Sequence, residues 1–430
     1  MHKLTKWLTI FLSIMVLLFD PIQSVAQDSI KSLNLEQVYQ MARANYPLIK
    51  QKDLVAKSAF LTIENINTAY LPQLSVNGQA SYQSDVTSIK IPIPNFSMTP
   101  LSKDQYKFWG ELNQLIYDGG IIKNQKELQE RSSLVDDQKL EVELYKLKER
   151  INQLYLGVLL LDGQFVQAKL ASENIQIGLK TVNAQLANGT VFKSAVLVLD
   201  AQLLQNDQRI VELKSNKKAL LQILSLFLHQ TISEKVELKT PVVADLFDVT
   251  IARPELKLYA YQDSFWHVQN QMVAAKSNPK LNLFAQGGYG RPGLNMLNND
   301  FALFGIGGVR LNWSLSNLYT HKREQQVIAL NQKINEVQKD VFVFNTNTQL
   351  SQQMEEIKKL QELSNIDQKI IEVRTNITAA SKAQLQNGVI NSNDYLREIN
   401  SEDQTRNNFI LHQIQLLQAK INYQTIKGNQ

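Results

Sequence analysis

Apolar and polar residues alternate with two different periods along this chain, and the two periods take turns. Leu74, Val76, Gly78, Ala80 and Tyr82 are separated by mostly polar residues, as are Leu281, Leu283, Ala285, Gly287 and Tyr289. This period of two predicts β-strands with one face apolar. A second strand-like segment follows each: Tyr106 to Tyr117, and Phe301 to Leu315 with Phe301, Leu303, Val309, Leu311, Trp313 and Leu315 on one face. Beyond each pair the period changes. Leu140, Leu144, Leu147, Ile151, Leu154, Val158, Leu161, Phe165, Ala168, Ser172, Ile175, Leu179, Val182 and Leu186 step by four and three alternately, which predicts a helix packed along another helix with left-handed crossing. At about 1.5 Å per residue, the stretch from Asp118 to Asn188 makes a rod of roughly 105 Å.

Glycine and proline set the limits of these segments. Six of the ten prolines lie at or before Pro100 and the other four between Pro241 and Pro292, so two long stretches are free of a residue that costs a helix about 3 kcal/mol. Asn188-Gly189 stops the first rod, because glycine accepts the left-handed conformation at a helix C-terminus, and a second apolar helix is predicted from Ser194 to Leu228. The plan then repeats with a rod from Ser316 to Asn387, a break at Gly388 and a return helix from Asn393 to Ile426. In the second rod, Ile357, Leu360, Leu363, Ile366, Ile370, Val373 and Ile377 step less regularly among many Asn, Gln, Ser and Thr, which predicts one face in water.

The repetition extends to register. Leu112-Asn113 and Asn188-Gly189 recur as Leu311-Asn312 and Asn387-Gly388, shifted by 199 residues in both cases. A period of that length fits an internally duplicated domain rather than a stacked solenoid unit. The chain divides into residues 27–240, a first repeat of helix, two strands and long helical hairpin, and 241–430, a second with the same plan.

Residues 1–26 read as a secretory signal peptide: Lys3 and Lys6, an apolar run from Trp7 to Phe19, and the small-x-small ending Ser24-Val25-Ala26. The run is shorter than the 18 or so residues that span a bilayer. The chain has no cysteine, so an exported form is held by its core or by oligomerisation. A formal net charge of +5, spread rather than clustered, gives no basis for nucleic-acid binding.

Each strand is long enough for the roughly 9 to 11 residues that cross a membrane when tilted. Tyr82, Trp109, Tyr117, Tyr289 and Trp313 are expected near strand ends, as interfacial aromatics. Four strands cannot close a barrel and an open edge is not tolerated in lipid, so transmembrane strands require several chains to share one barrel. Two chains give eight strands, a filled interior, and three give twelve, room for a lumen.

In Leu71-Pro72-Gln73-Leu74, Asn278-Pro279-Lys280-Leu281, Tyr117-Asp118-Gly119-Gly120, the breaks at Asn188-Gly189 and Asn387-Gly388, and Leu199-Asp200-Ala201-Gln202, the chain resembles the TolC-like outer-membrane efflux proteins. The resemblance covers nearly all of the chain after the leader. It implies a mixed α and β membrane protein: a homotrimer whose twelve-stranded outer-membrane β-barrel continues into a twelve-helix periplasmic tunnel. It further implies an exit duct for efflux or type I secretion in the outer membrane of a Gram-negative bacterium, with a periplasmic adaptor and an inner-membrane pump as partners. The adaptor would meet the helical tips at Asn188, Gly189, Thr190, Asn387, Gly388 and Val389. Such proteins narrow the tunnel with acidic residues just after the second break, where Asp394 stands; the next expected aspartate falls on Arg397, and the equivalent in the first copy is Ala195. Asp394 reads equally as a first-turn carboxylate favoured by the helix dipole.

Chemistry of another kind has little support. The histidines at 2, 229, 267, 321 and 412 are scattered, with no HExxH and no Cys/His metal spacing. Gly287-Gly288-Tyr289-Gly290 and Gly305-Ile306-Gly307-Gly308 lack a following P-loop Lys-Ser/Thr, and glycine in a strand marks close packing or a bend. No enzyme, cofactor or metal is expected. The alternative from another class is a soluble periplasmic coiled-coil adaptor or scaffold, which would carry one helical hairpin where this chain has two.

Overall fold

The longest elements form where proline is absent. The computed structural model describes residues 31–87, 100–243 and 250–428, and the leader expected at 1–26 lies outside them. After a two-residue strand, the described residues begin with two helices, α1 (Leu35–Asn45) and α2 (Ile49–Asn67), followed by strands β2 (Gln73–Tyr82) and β3 (Asp104–Tyr117). The first rod is α3 (Ile121–Ala187), and α4 (Lys193–Leu228) returns along it. The order then recurs: α5 (Pro254–Lys276), β5 (Lys280–Arg291), β6 (Ala302–Asn312), the rod α6 (Asn317–Gln386) and its return α7 (Ser392–Lys427). Two two-residue strands, β1 (Ser32–Leu33) and β4 (Glu237–Leu238), pair in parallel beside the first hairpin.

Both rods form at close to the expected lengths, 67 and 70 residues, about 100 Å each. Every position of the first four-three seam is buried or half-buried, against α4 at one level and α5 or α7 at others. The second seam does not stay on one buried face. Ile357 and Leu360 are buried against α7, with Ala419 and Tyr423, whereas Ile366, Ile370, Val373 and Ile377 are exposed. Higher on α6, Val327, Leu330, Ile334, Val337, Val341 and Phe344 also stand exposed at spacings of three and four. The uncovered surface of this rod therefore carries apolar stripes beside exposed polar residues such as Lys333, Glu336, Lys339 and Asp340.

The four long strands form one antiparallel sheet in the order β2-β3-β5-β6, with β2 and β6 as open edges. Register places Leu74 opposite Leu112, Phe108 opposite Tyr289, and Leu283 opposite Val309. One face is consequently apolar and outward, with Leu74 81% and Leu303 84% exposed. The other is mostly polar, where Glu111 accepts a hydrogen bond from Gln286 at 3.0 Å and lies 3.6 Å from Arg310.

Three strand-end aromatics stand as expected: Tyr82 and Tyr117 end β2 and β3, and Tyr289 lies next to the end of β5. Trp313 falls one residue beyond β6, because its indole N–H donates to the Ser277 carbonyl at 3.0 Å and the chain turns at Ser314. Trp109 departs from expectation. It sits in the middle of β3 on the polar face, against Gly288, where an added Cβ would stand 2.5 Å from the Trp109 Cβ.

The strand-to-helix passage explains two of the sequence motifs. Asp118 is buried and accepts from the N–H groups of Gly120 and Ile122 at 2.8 and 2.5 Å, capping α3. Gly119 has φ +77° and no room for a Cβ, which would lie 2.7 Å from the Cβ of Asn278; the Asn278 amide donates to the Gly119 carbonyl at 2.9 Å. The Asp-Gly-Gly of one half and the Asn-Pro of the other are thus two sides of one joint.

Among the described residues no helix is long and apolar enough to cross a membrane. Away from the sheet, α1 is bonded to the first hairpin by Tyr39, whose hydroxyl donates to Asn152, and the β1–β4 pair is held to it by Tyr155, whose hydroxyl lies 2.9 and 2.6 Å from the Leu33 and Lys239 carbonyls. Burial raises the pKa of the Tyr155 phenol to about 12, only partly offset by the hydrogen bond at Lys239.

Candidate functional site: the helical tips

The two hairpins end in the same turn. Asn188 caps α3; Gly189 follows with φ +70°, its N–H donating to the Leu186 carbonyl at 3.0 Å, and Thr190 N–H donates to Gln185 at 2.9 Å. In the second copy Gly388 has φ +71°, donates to Leu385 at 3.1 Å, and Val389 N–H donates to Gln384 at 2.8 Å. This paired return of amides onto the last turn is the Schellman motif. It satisfies carbonyls that a helix end otherwise leaves open. A Cβ added at either glycine would meet nothing within 4 Å. Asn188, Gly189, Thr190, Asn387, Gly388 and Val389 are all exposed.

The tips are held side by side. The Gln185 amide donates to the Leu385 carbonyl at 2.7 Å, crossing from one hairpin to the other. Just above lies a small core of Ile175, Val182, Leu199, Leu385, Tyr395, Leu396 and Ile399. Burial, then the charge of Glu402, raises the pKa of the Tyr395 phenol; its hydroxyl donates to the Asn174 carbonyl at 3.3 Å. The sequence reading missed Phe192. It is 85% exposed at the mouth of α4, and the one signal for it was an aromatic between a glycine break and a helix, where turn residues are usual.

Asp394 and Arg397 come together as their i, i+3 spacing requires. Asn391 caps α7 by accepting from the N–H groups of Asn393 and Asp394 at 2.9 and 3.0 Å, which puts the Asp394 carboxylate in the first turn. Arg397 lies 3.7 Å from Asp394 and 3.2 Å from Glu398, and Glu398 in turn accepts from Arg374 of α6 at 3.1 Å. The arginine side chain is 71% exposed, so screening by water keeps each of its pairs weak. Among the described residues no group of three or more His, Asp or Glu is placed to hold a metal ion.

Residues 38–227 match the family model of the outer membrane efflux protein. No curated protein matches the chain in sequence. Solved structures match its fold over nearly the whole length. The CusC channel structure aligns with a TM-score of 0.67 at 14% identity, covering 95% of this chain and 96% of that one. The Neisseria gonorrhoeae MtrE outer membrane channel, in its open state, aligns at 0.66 and 13%, covering 92% and 89%. The Campylobacter jejuni CmeC outer membrane channel aligns at 0.63 and 14%, covering 92% and 85%.

Proposed function

We proceed from a chain that carries the outer membrane efflux protein domain, and we infer that it is an outer-membrane exit duct, passing solutes from the periplasm to the outside. The observation that carries this is the four-stranded sheet. Its outward face is apolar, its inner face is largely polar, both its edges are open, and it runs directly into two rods of about 100 Å. An open edge in lipid leaves backbone groups unpaired at several kcal/mol each, so other copies must complete the sheet. Three copies give a closed barrel of twelve strands with room for a lumen. The exposed apolar stripes of α6 supply the matching helix contacts, because a four-three stripe buries itself against a neighbouring helix.

We read the chain after its leader as two repeats, 27–240 and 241–430. The pairing of β1 with β4, which ties the start of the first span to its end, supports that division. The tips would dock a periplasmic adaptor that connects the duct to an inner-membrane pump, with Phe192 and Val389 as apolar anchors among polar turn residues. Three copies of Asp394, each tempered by Arg397, would line the narrow end of the tunnel. The chain acts as a conduit rather than an enzyme. The reading as a soluble coiled-coil adaptor is disfavoured by the apolar outer face of the sheet, which in water would be a large exposed patch.

Complementation tests the function. In a diderm host lacking its own outer-membrane duct, supplied with the cognate adaptor and pump, the full-length gene should restore resistance to the pump's substrates. Recovery of the product as a soluble periplasmic protein, with resistance unchanged, would contradict it.

A further inference from the structure

Charge on the four long strands is sorted by face. Side chains alternate across a strand, so the face that carries Glu111 and Gln286 also carries Lys107 of β3, Lys280 of β5 and Arg310 of β6. β2 has no charged residue. Asp104 and Arg291 pair with each other on the apolar face, beside Tyr106 at the ends of β3 and β5. The polar face therefore holds three cations and one carboxylate per chain, a net of two positive charges. The two signs also differ in how far they reach. Glu111 is committed to Gln286 and Arg310 and its side chain is 17% exposed, whereas Arg310 is 42% exposed, its guanidinium carried 4.5 Å from the centre of the Phe284 ring. Among the described residues neither Lys107 nor Lys280 lies within ion-pair distance of a carboxylate.

We propose that the inside of the barrel is a filter that prefers anions, in which Lys107, Lys280 and Arg310 draw negatively charged solutes through and hold back positive ones. This rests on the duct reading, in which three copies close the sheet with its polar face inward, and it gives that lumen a net of six positive charges. The seam between copies joins the edges β2 and β6, and an uncharged β2 leaves Arg310 unneutralised. Geometry lets the field reach the solute. Twelve strands about 4.8 Å apart and tilted about 40° put the backbone about 12 Å from the axis, and side chains narrow the opening further. The Debye length is about 8 Å at physiological ionic strength, so the axis lies within roughly one screening length of the charged ends. The low-dielectric wall of a membrane focuses that field. Asp394 stands at the far end of rods about 100 Å long, many screening lengths away, and acts separately.

The chain has no cysteine, so Asn77→Cys supplies a single reporter thiol. Asn77 pairs with Trp109 on the polar face, two residues from the levels of both Lys107 and Glu111. The full-length assembled protein in detergent is reacted with an anionic reagent, 2-sulfonatoethyl methanethiosulfonate, and with a cationic one, its 2-(trimethylammonio)ethyl counterpart. The anionic-to-cationic rate ratio, divided by the same ratio for 2-mercaptoethanol, cancels the thiol's own reactivity. At about 10 mM salt, where the Debye length is about 30 Å, that quotient should be at least threefold above one, and it should approach one in about 1 M salt, where the length is about 3 Å. Lys107→Gln with Arg310→Gln should lower it at least threefold. Should that pair fail to assemble, Lys107→Gln and then Lys107→Glu should lower it in that order. A three-copy assembly whose quotient is one or less at low salt, or is unmoved by these substitutions, overturns the filter and leaves the duct reading standing. A product that stays a single copy overturns both.

Discussion

Gly178 of α3 faces Tyr395 of α7 so closely that a Cβ on the glycine would lie 2.6 Å from the tyrosine Cε1. Fifteen residues earlier on α3, Gly163 meets Ile410 of α7 in the same way, at 2.8 Å, fifteen residues further along an antiparallel helix. The two hairpins thus join through notches that only glycine leaves open. Tyr395 is 1% exposed and cannot swing away. Alanine at position 178 gains up to about 1 kcal/mol of helix propensity but overpacks a filled core, at a cost of about 1 to 3 kcal/mol. Gly178→Ala should therefore lower thermal stability, and adding Tyr395→Leu should recover part of the loss, a non-additivity expected of touching residues. A strictly additive pair would mean the notch is not filled as described.

The tip glycines present the opposite case. At Gly189 and Gly388 there is open space around the missing Cβ, so substitution costs only the left-handed backbone, about 1 to 2 kcal/mol per residue. Gly189→Val or Gly388→Val should leave the assembled protein at normal level in the membrane while impairing efflux, read as drug susceptibility. Unchanged susceptibility at normal level would mean the tips are not the docking surface.

Asp394 and Arg397 make a charge pair whose two members can be tested separately. If Asp394 lines the constriction, Asp394→Ala should alter single-channel conductance in a planar bilayer and weaken block by multivalent cations. The double change of Asp394 and Arg397 to Ala then tells whether the arginine had been neutralising it. Wild-type conductance and cation sensitivity in both variants would leave Asp394 as an ordinary first-turn carboxylate favoured by the helix dipole.

Much of this architecture was legible because its signals are long and local. A four-three seam sustained from Leu140 to Leu186 and glycine stops at 189 and 388 set both rods to within a few residues of their observed ends. Strand faces were equally readable, since period two puts Leu74 with Val76 on the apolar side of β2 and Leu303 with Val309 on that of β6. Position along the strand was not. Trp109 reads as an end residue until pairing with β5 puts it opposite Gly288, in mid-strand. The apolar steps Ile366, Ile370, Val373 and Ile377 of α6 are legible, but what covers them is not, because one chain by itself leaves them exposed. The β1–β4 pair joins residues some two hundred positions apart in segments too short to carry any period.

Four strands with open edges require several copies of this chain to share one barrel in a membrane. Native mass determination of the mature protein, extracted from the outer-membrane fraction in mild detergent, tests it most directly. Three copies are expected, and charging the exposed stripe of α6, as in Leu330→Asp with Val337→Asp, should reduce the trimer. A stable single copy, or a protein released into the soluble periplasmic fraction without detergent, would contradict it.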